Sequence, residues 1–131
     1  MDRGETAKPL IEARSGPSIT LAEAAARMEV KDRTIKTWIQ NGRCVGYPDI
    51  SAKKRLRLPE WQFAGRKVVH EWVGPLLKAY GANGWAFIDF LTVPRHGLVA
   101  DAKLEGESLL QMIQGGNLQL ALAAAQRANP E

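Results

Sequence analysis

The stretch "ITLAEAAARMEVKDRTIKTWIQNGR", residues 19–43, decides the fold. Thr20 and Glu23 stand in a T-x-x-E arrangement, a capping box that starts a helix at Leu21. Leu21, Ala24, Ala25 and Met28 then fall at i, i+3, i+4 and i+7, one apolar stripe over two turns. A short turn from Glu29 to Lys31 leads to a second helix over about 32–41, closed by Gly42. Lys31 stands where a capping Ser or Thr is commoner, so Asp32 is the expected cap. Ile35, Trp38 and Ile39 form the inner stripe of this helix. Arg33, Lys36, Thr37 and Gln40 repeat on the opposite face. Two short helices joined this way make a helix-turn-helix. Long donors on the second helix suit a major-groove reader, although a solvated surface helix shows the same residue types.

A neighbouring element weighs against the solvated helix. In "SAKKRLRLPEW", residues 51–61, four of the five positions from Lys53 to Arg57 are basic. Strand alternation puts Leu56 and Leu58 on one side and Arg55 and Arg57 on the other. With "RCVGY" before it and a turn around Pro48–Asp49, this predicts a hairpin, the wing that succeeds a recognition helix. A bare basic tail would not need leucines at alternate positions. The candidate DNA-contacting residues are Lys31, Arg33, Thr34, Lys36, Thr37, Gln40, Arg43, Lys53, Lys54, Arg55 and Arg57.

Charge shows the same division. Met1 to Lys67 carries 14 Lys/Arg against 8 Asp/Glu, and Val68 to Glu131 carries 4 against 6. A basic first half attracts phosphate. Residues 1–17, with Gly4, Pro9, Gly16 and Pro17 and weak periodicity, read as a mobile arm or a pre-cleavage or tag-derived segment. Residues 18–64 read as the winged helix-turn-helix, and residues 65–131 as a second, helical domain.

The residues Glu23, Ala24, Ala25, Val30, Thr34, Ile35, Trp38, Ile39, Gly42 and Arg43 resemble the start of the MerR/excisionase type of winged helix. That resemblance implies DNA binding by the second helix and the wing.

In the second half, Trp61 and Phe63 are expected to pin the wing to the next segment of the chain. Gly74–Pro75 either breaks a helix or begins one. Asn83 can cap a helix bearing Trp85, Ile88, Asp89 and Leu91, which Pro94 stops. A further helix re-enters near Glu107 and closes at Gly115 and Gly116, and Asn117 can cap a last, Ala-rich one. Short helices with tight links make a small bundle. The fold class is thus mainly α: a winged helix-turn-helix with a short β-hairpin, then a helical bundle.

Phe90, Leu91, Pro94, Leu104, Gly106, Leu109, Leu110, Gly116, Asn117, Ala123 and Ala124 resemble the toxin-binding domain of the Xre/MbcA/ParS antitoxins, partners of RES-domain toxins. The chain departs from that pattern at Gly106-Glu107-Ser108, which lacks the usual proline, and in a longer loop from Arg95 to Lys103. The resemblance implies a toxin-binding or self-association surface using Pro94, Leu98, Leu104, Leu109, Leu110, Asn117 and Leu122. NAD consumption would belong to the toxin.

The remaining signals point away from an enzyme. Trp38, Trp61, Trp72 and Trp85 sit among aliphatic residues and are assigned to packing rather than to base stacking. His70 and His96 lie far apart with no acidic or thiol partner at metal spacing. Cys44 allows no internal disulfide and has no His–acid set behind it. No apolar run is long enough to cross a membrane and no signal peptide is recognised, so a cytoplasmic protein without cofactors is expected. Three functions remain open. One is an autorepressing, DNA-binding antitoxin with a RES-type toxin partner. The second is a phage or plasmid regulator without a toxin. The third is a pure protein-interaction module. Double-stranded DNA and a second copy of the chain, as a homodimer or higher oligomer, are the expected partners.

Overall fold

The computed structural model describes residues 3–52, 54–65, 69–96 and 105–128. The chain divides into two compact units, Met1–Phe87 and Ile88–Glu131. The sequence places the division at 64/65. It lies further on because the segment after the wing packs back onto the helix-turn-helix instead of opening a new domain.

The first unit begins with a helix, α1 (Arg3–Ser15), within the segment 1–17 that the sequence reads as a mobile arm. Weak periodicity and Pro9 hide it in the sequence, since proline removes one backbone donor. Tertiary contacts hold it instead. Ile11 and Ser15 are buried, the Tyr47 hydroxyl donates to Glu12 Oε2 at 3.0 Å, and Trp61 Nε1 donates to Ser15 Oγ at 2.9 Å.

A short strand comes next, β1 (Ser18–Thr20), then α2 (Leu21–Met28) and α3 (Asp32–Gln40). The capping box of α2 is complete: Glu23 N–H donates to Thr20 Oγ1, and Thr20 N–H donates to the Glu23 carboxylate, both at 3.1 Å. The bond from Thr20 N–H to the carboxylate and, after it, the Thr20 side chain hold the Glu23 pKa below the usual carboxylate range. Glu29 ends α2 with φ at 57°, in the left-handed region, and its N–H returns to the helix.

The expected hairpin is present as β2 (Tyr47–Pro48) and β3 (Leu56–Pro59), antiparallel, with Tyr47 opposite Arg57. β1 adds to the other edge of β3, giving the order β1-β3-β2 and setting Ile19 opposite Leu58. Three residues are too few for a periodicity signal, so β1 is invisible in the sequence. Ile19 and Leu58 close a core with Ala24, Ala25, Met28, Ile35 and Cys44. The alanines let α2 approach α3. Each large side chain buried here stabilises the unit by roughly 1.5–3 kcal/mol relative to exposure.

After β3 comes one 3-10 turn (Glu60–Gln62), and then α4 (Val73–Tyr80). Pro75 lies in the first turn of α4, where its missing donor costs nothing, so Gly74–Pro75 starts a helix. The Trp61 and Trp72 rings stack at 5.7 Å. Gly81 closes α4 in the left-handed region, and α5 (Trp85–Thr92) begins shortly after Asn83. The division between the units falls inside α5.

In the second unit, α6 (Leu109–Gln114) starts at a capping box made by Ser108 and Gln111. It pairs with α7 (Leu118–Ala128) through a turn at Gly115 and Gly116. Leu109, Leu110, Met112, Ala121, Ala124 and Ala125 are buried. Among the described residues, no helix is long and apolar enough to cross a membrane.

Candidate nucleic-acid interface

Helix α3 is amphipathic as its spacing requires. Ile35 is fully buried, Trp38 and Ile39 are half-buried, and Arg33, Lys36, Thr37 and Gln40 are all exposed. Residues at i, i+3, i+4 and i+7 share one helical face, so these four side chains form an outward stripe. Thr37 Oγ1 donates to the Arg33 carbonyl at 3.0 Å. Arg43, just past the helix, is exposed, and its guanidinium carbon lies over the Trp38 ring at 4.7 Å, a cation–π contact beside the end of α3. Lys31 is the exposed N-cap residue and provides no side-chain bond. Asp32 is therefore not the cap. It occupies the first helical turn, where a carboxylate meets the positive end of the helix dipole. Thr34 is half-buried and less available than its neighbours.

The wing's turn is closed by Asp49. Its Oδ1 accepts from the Ser51 N–H and hydroxyl, each at 2.8 Å, and these bonds hold its carboxyl below the usual range. Asp49 N–H donates to the Arg55 carbonyl at 2.8 Å. Lys54 and Arg55 are exposed at the tip, and Lys53 lies outside the described residues.

Arg57 departs from the expectation that it faces outward beside Arg55. It is half-buried; its Nε donates to Ser18 Oγ and its Nη2 to the Ser18 carbonyl, each at 2.9 Å. Pairing of β1 with β3 brings Ser18 within reach, so Arg57 fastens the sheet while Arg55 stays open. Leu58 is fully buried and Leu56 half-buried, as the alternation requires.

Two amides that the sequence does not connect with this surface support it. Gln62 is fully buried: Oε1 accepts from Val45 N–H at 2.7 Å, and Nε2 donates to the carbonyls of Val45 and Pro59. Asn83, expected to cap α5, reaches back to α3 instead: Nδ2 donates to the carbonyls of Ile39 and Cys44. A glutamine between two aromatics in "WQF" was the available signal for Gln62. Asn83 had none for this role, because its partners lie about 40 residues away in the chain.

Cys44 is buried beneath this surface, and burial pushes its thiol up to about 11, against the opposing pull of Arg43. It is a packed, unreactive thiol.

Of the candidate partner-binding residues, Pro94 is exposed, and Asn117 and Leu122 are half-buried. Leu109 and Leu110 are buried, because the apolar stripe of α6 is spent on packing, so neither offers an open contact. Leu98 and Leu104 lie outside the described residues. No family model, curated protein or solved structure matches this chain.

Proposed function

We propose that the first unit binds double-stranded DNA, with α3 reading base edges in the major groove and the wing meeting the adjacent backbone. The observation that carries this reading is the exposed Arg33–Lys36–Thr37–Gln40 stripe on the second helix of a helix-turn-helix, succeeded by a hairpin whose tip exposes Lys54 and Arg55. Arginine bidentate to guanine and glutamine bidentate to adenine are the pairings such a stripe can make. Phosphate contacts from Lys54 and Arg55 would position the helix without reading sequence. Of the 131 residues, those of this unit carry 15 Lys/Arg against 9 Asp/Glu, which favours a polyanion.

The wider reading is an autorepressing antitoxin, whose second unit holds a RES-type toxin or another copy of the chain. This part rests on the resemblance of residues 90–124. Retention of an adjacent RES-domain protein on the tagged full chain, with rescue of its toxicity, is its test.

For DNA binding, the expected outcome is a salt-dependent shift of duplexes enriched from a random pool. Arg33→Ala, Lys36→Ala and Gln40→Ala should each cost about 1–3 kcal/mol of preference for the enriched sequence. Arg55→Ala should weaken all duplexes alike and reduce the salt slope by about 1. No binding at low salt, or the same affinity in all four variants, would overturn the assignment.

A further inference from the structure

We infer that Asn83 is a positioning residue for the recognition surface: from the link between α4 and α5 it sets the orientation of α3 relative to the wing. The inference rests on the DNA-binding reading and goes beyond it, since Asn83 lies outside the helix-turn-helix and the hairpin.

The last carbonyls of a helix have no partner within it. At the end of α3 one of them, Ile39 O, accepts from Gly42 N–H at 3.2 Å in the closing turn and from Asn83 Nδ2 at 3.0 Å. The same nitrogen donates to Cys44 O at 2.9 Å, and Asn83 Oδ1 accepts from Gly46 N–H at 3.4 Å and from Gly84 N–H at 2.7 Å. One side chain therefore grips the helix terminus and both ends of the segment Cys44–Gly46, which leads from α3 into β2. Gln62 holds Val45, in the middle of that segment. Gly46 allows the close approach: a Cβ there would meet Ile39 Cδ1 at 2.5 Å. Aromatic packing also joins this link to β2, the Tyr47 and Trp85 rings lying 4.6 Å apart, but it gives the carbonyl end of α3 no directional bond. A cleft of about 580 Å³ opens between the end of α3 and α4, lined by Ile39, Asn41, Leu77 and Asn83 among others. Asn83 bridges it with directional bonds. A base-reading helix needs its donors placed to a fraction of an ångström, whereas attraction to phosphate tolerates misplacement.

The test uses the full chain, a duplex enriched from a random pool by the wild type, and a scrambled duplex, over a salt series. Asn83→Ala should lower the ratio of specific to scrambled affinity about tenfold, comparable to losing one base contact. Scrambled-duplex affinity and its salt slope should stay the same. Asn83→Ser, which can still accept from Gly84 but cannot span both carbonyls, should behave alike and serves if the alanine variant does not fold. Met112→Ala, destabilised at a buried residue of the other unit that belongs to no candidate partner surface, should keep the wild-type ratio. A folded Asn83→Ala or Asn83→Ser protein with the wild-type ratio overturns this inference alone. A ratio that falls equally in Met112→Ala also overturns it, because general destabilisation then explains the loss. A wild type with no duplex preference removes the DNA-binding reading and this inference with it.

Discussion

The two units are held together in different ways. In the first, polar side chains reach across the chain. Arg27 pairs with Glu60, Tyr47 with Glu12, Trp61 with Ser15, Arg57 with Ser18, Gln62 with Val45 and Asn83 with Ile39, over separations of 17 to 46 residues. Among the described residues of the second unit the side-chain bonds span less of the chain, the longest joining His96 to Glu105 nine residues on. Thr92 donates to Ile88, Arg95 to Phe90, and Ser108 and Gln111 cap their own helix. Apolar contact is non-directional and leaves elements free to slide by small amounts. Hydrogen bonds fix angle and register. The unit with the candidate reading surface is thus the one whose elements are pinned directionally, and the α6–α7 pair relies on buried leucine, methionine and alanine.

The sharpest test of this contrast is Gln62→Ala. It strands a buried N–H and two buried carbonyls and should cost about 3 kcal/mol, as much as deleting a core side chain. Leu109→Ala should cost about 2–5 kcal/mol in the other unit. Urea unfolding of both variants gives the comparison, and a Gln62 cost below about 1 kcal/mol would break it.

A smaller effect separates the wing's two arginines. Arg57→Ala removes two bonds to Ser18 and should lower stability by about 1–2 kcal/mol. Arg55→Ala, at an exposed position, should leave the melting temperature within about 2–3 °C of wild type while lowering DNA affinity. Equal melting losses in the two variants would return Arg57 to the role the alternation suggested.

The smallest expected effect lies at the capping box. Glu23 has a folded-state pKa depressed by its bonds with Thr20, so its contribution is present above the ordinary carboxylate range. It is lost as pH falls through the lowered value. Glu23→Gln keeps an acceptor that does not titrate. The wild type's advantage over Glu23→Gln in melting temperature should shrink on acidification, and a constant difference would show that the carboxylate's charge is irrelevant.

The helix-turn-helix was legible because its signals are local. Thr20 and Glu23 are three residues apart, and the stripes on α2 and α3 repeat every three or four residues. The alternation of Leu56 and Leu58 in the wing needs only three positions. By the same logic Arg33, Lys36, Thr37, Gln40 and Arg55 could be placed on the outside before any coordinates. The capping box at Ser108 and Gln111 is equally local, yet its glutamine is a less conspicuous signal than a glutamate.

What the sequence by itself determined is the set of helices around residues 21–40, the hairpin after them, the mainly α class and the outward stripe of donors. Each comes from periodicity and capping within a few residues. Only the tertiary structure decided that residues 3–15 form a helix despite Pro9, that Ser18–Thr20 completes the sheet, that Arg57 is tied to Ser18, and that Gln62 and Asn83 hold the segment between α3 and β2. These outcomes depend on partners 17 to 46 residues apart. A hydrogen bond between distant residues leaves no periodic trace in a sequence, because its geometry exists only once the chain has folded.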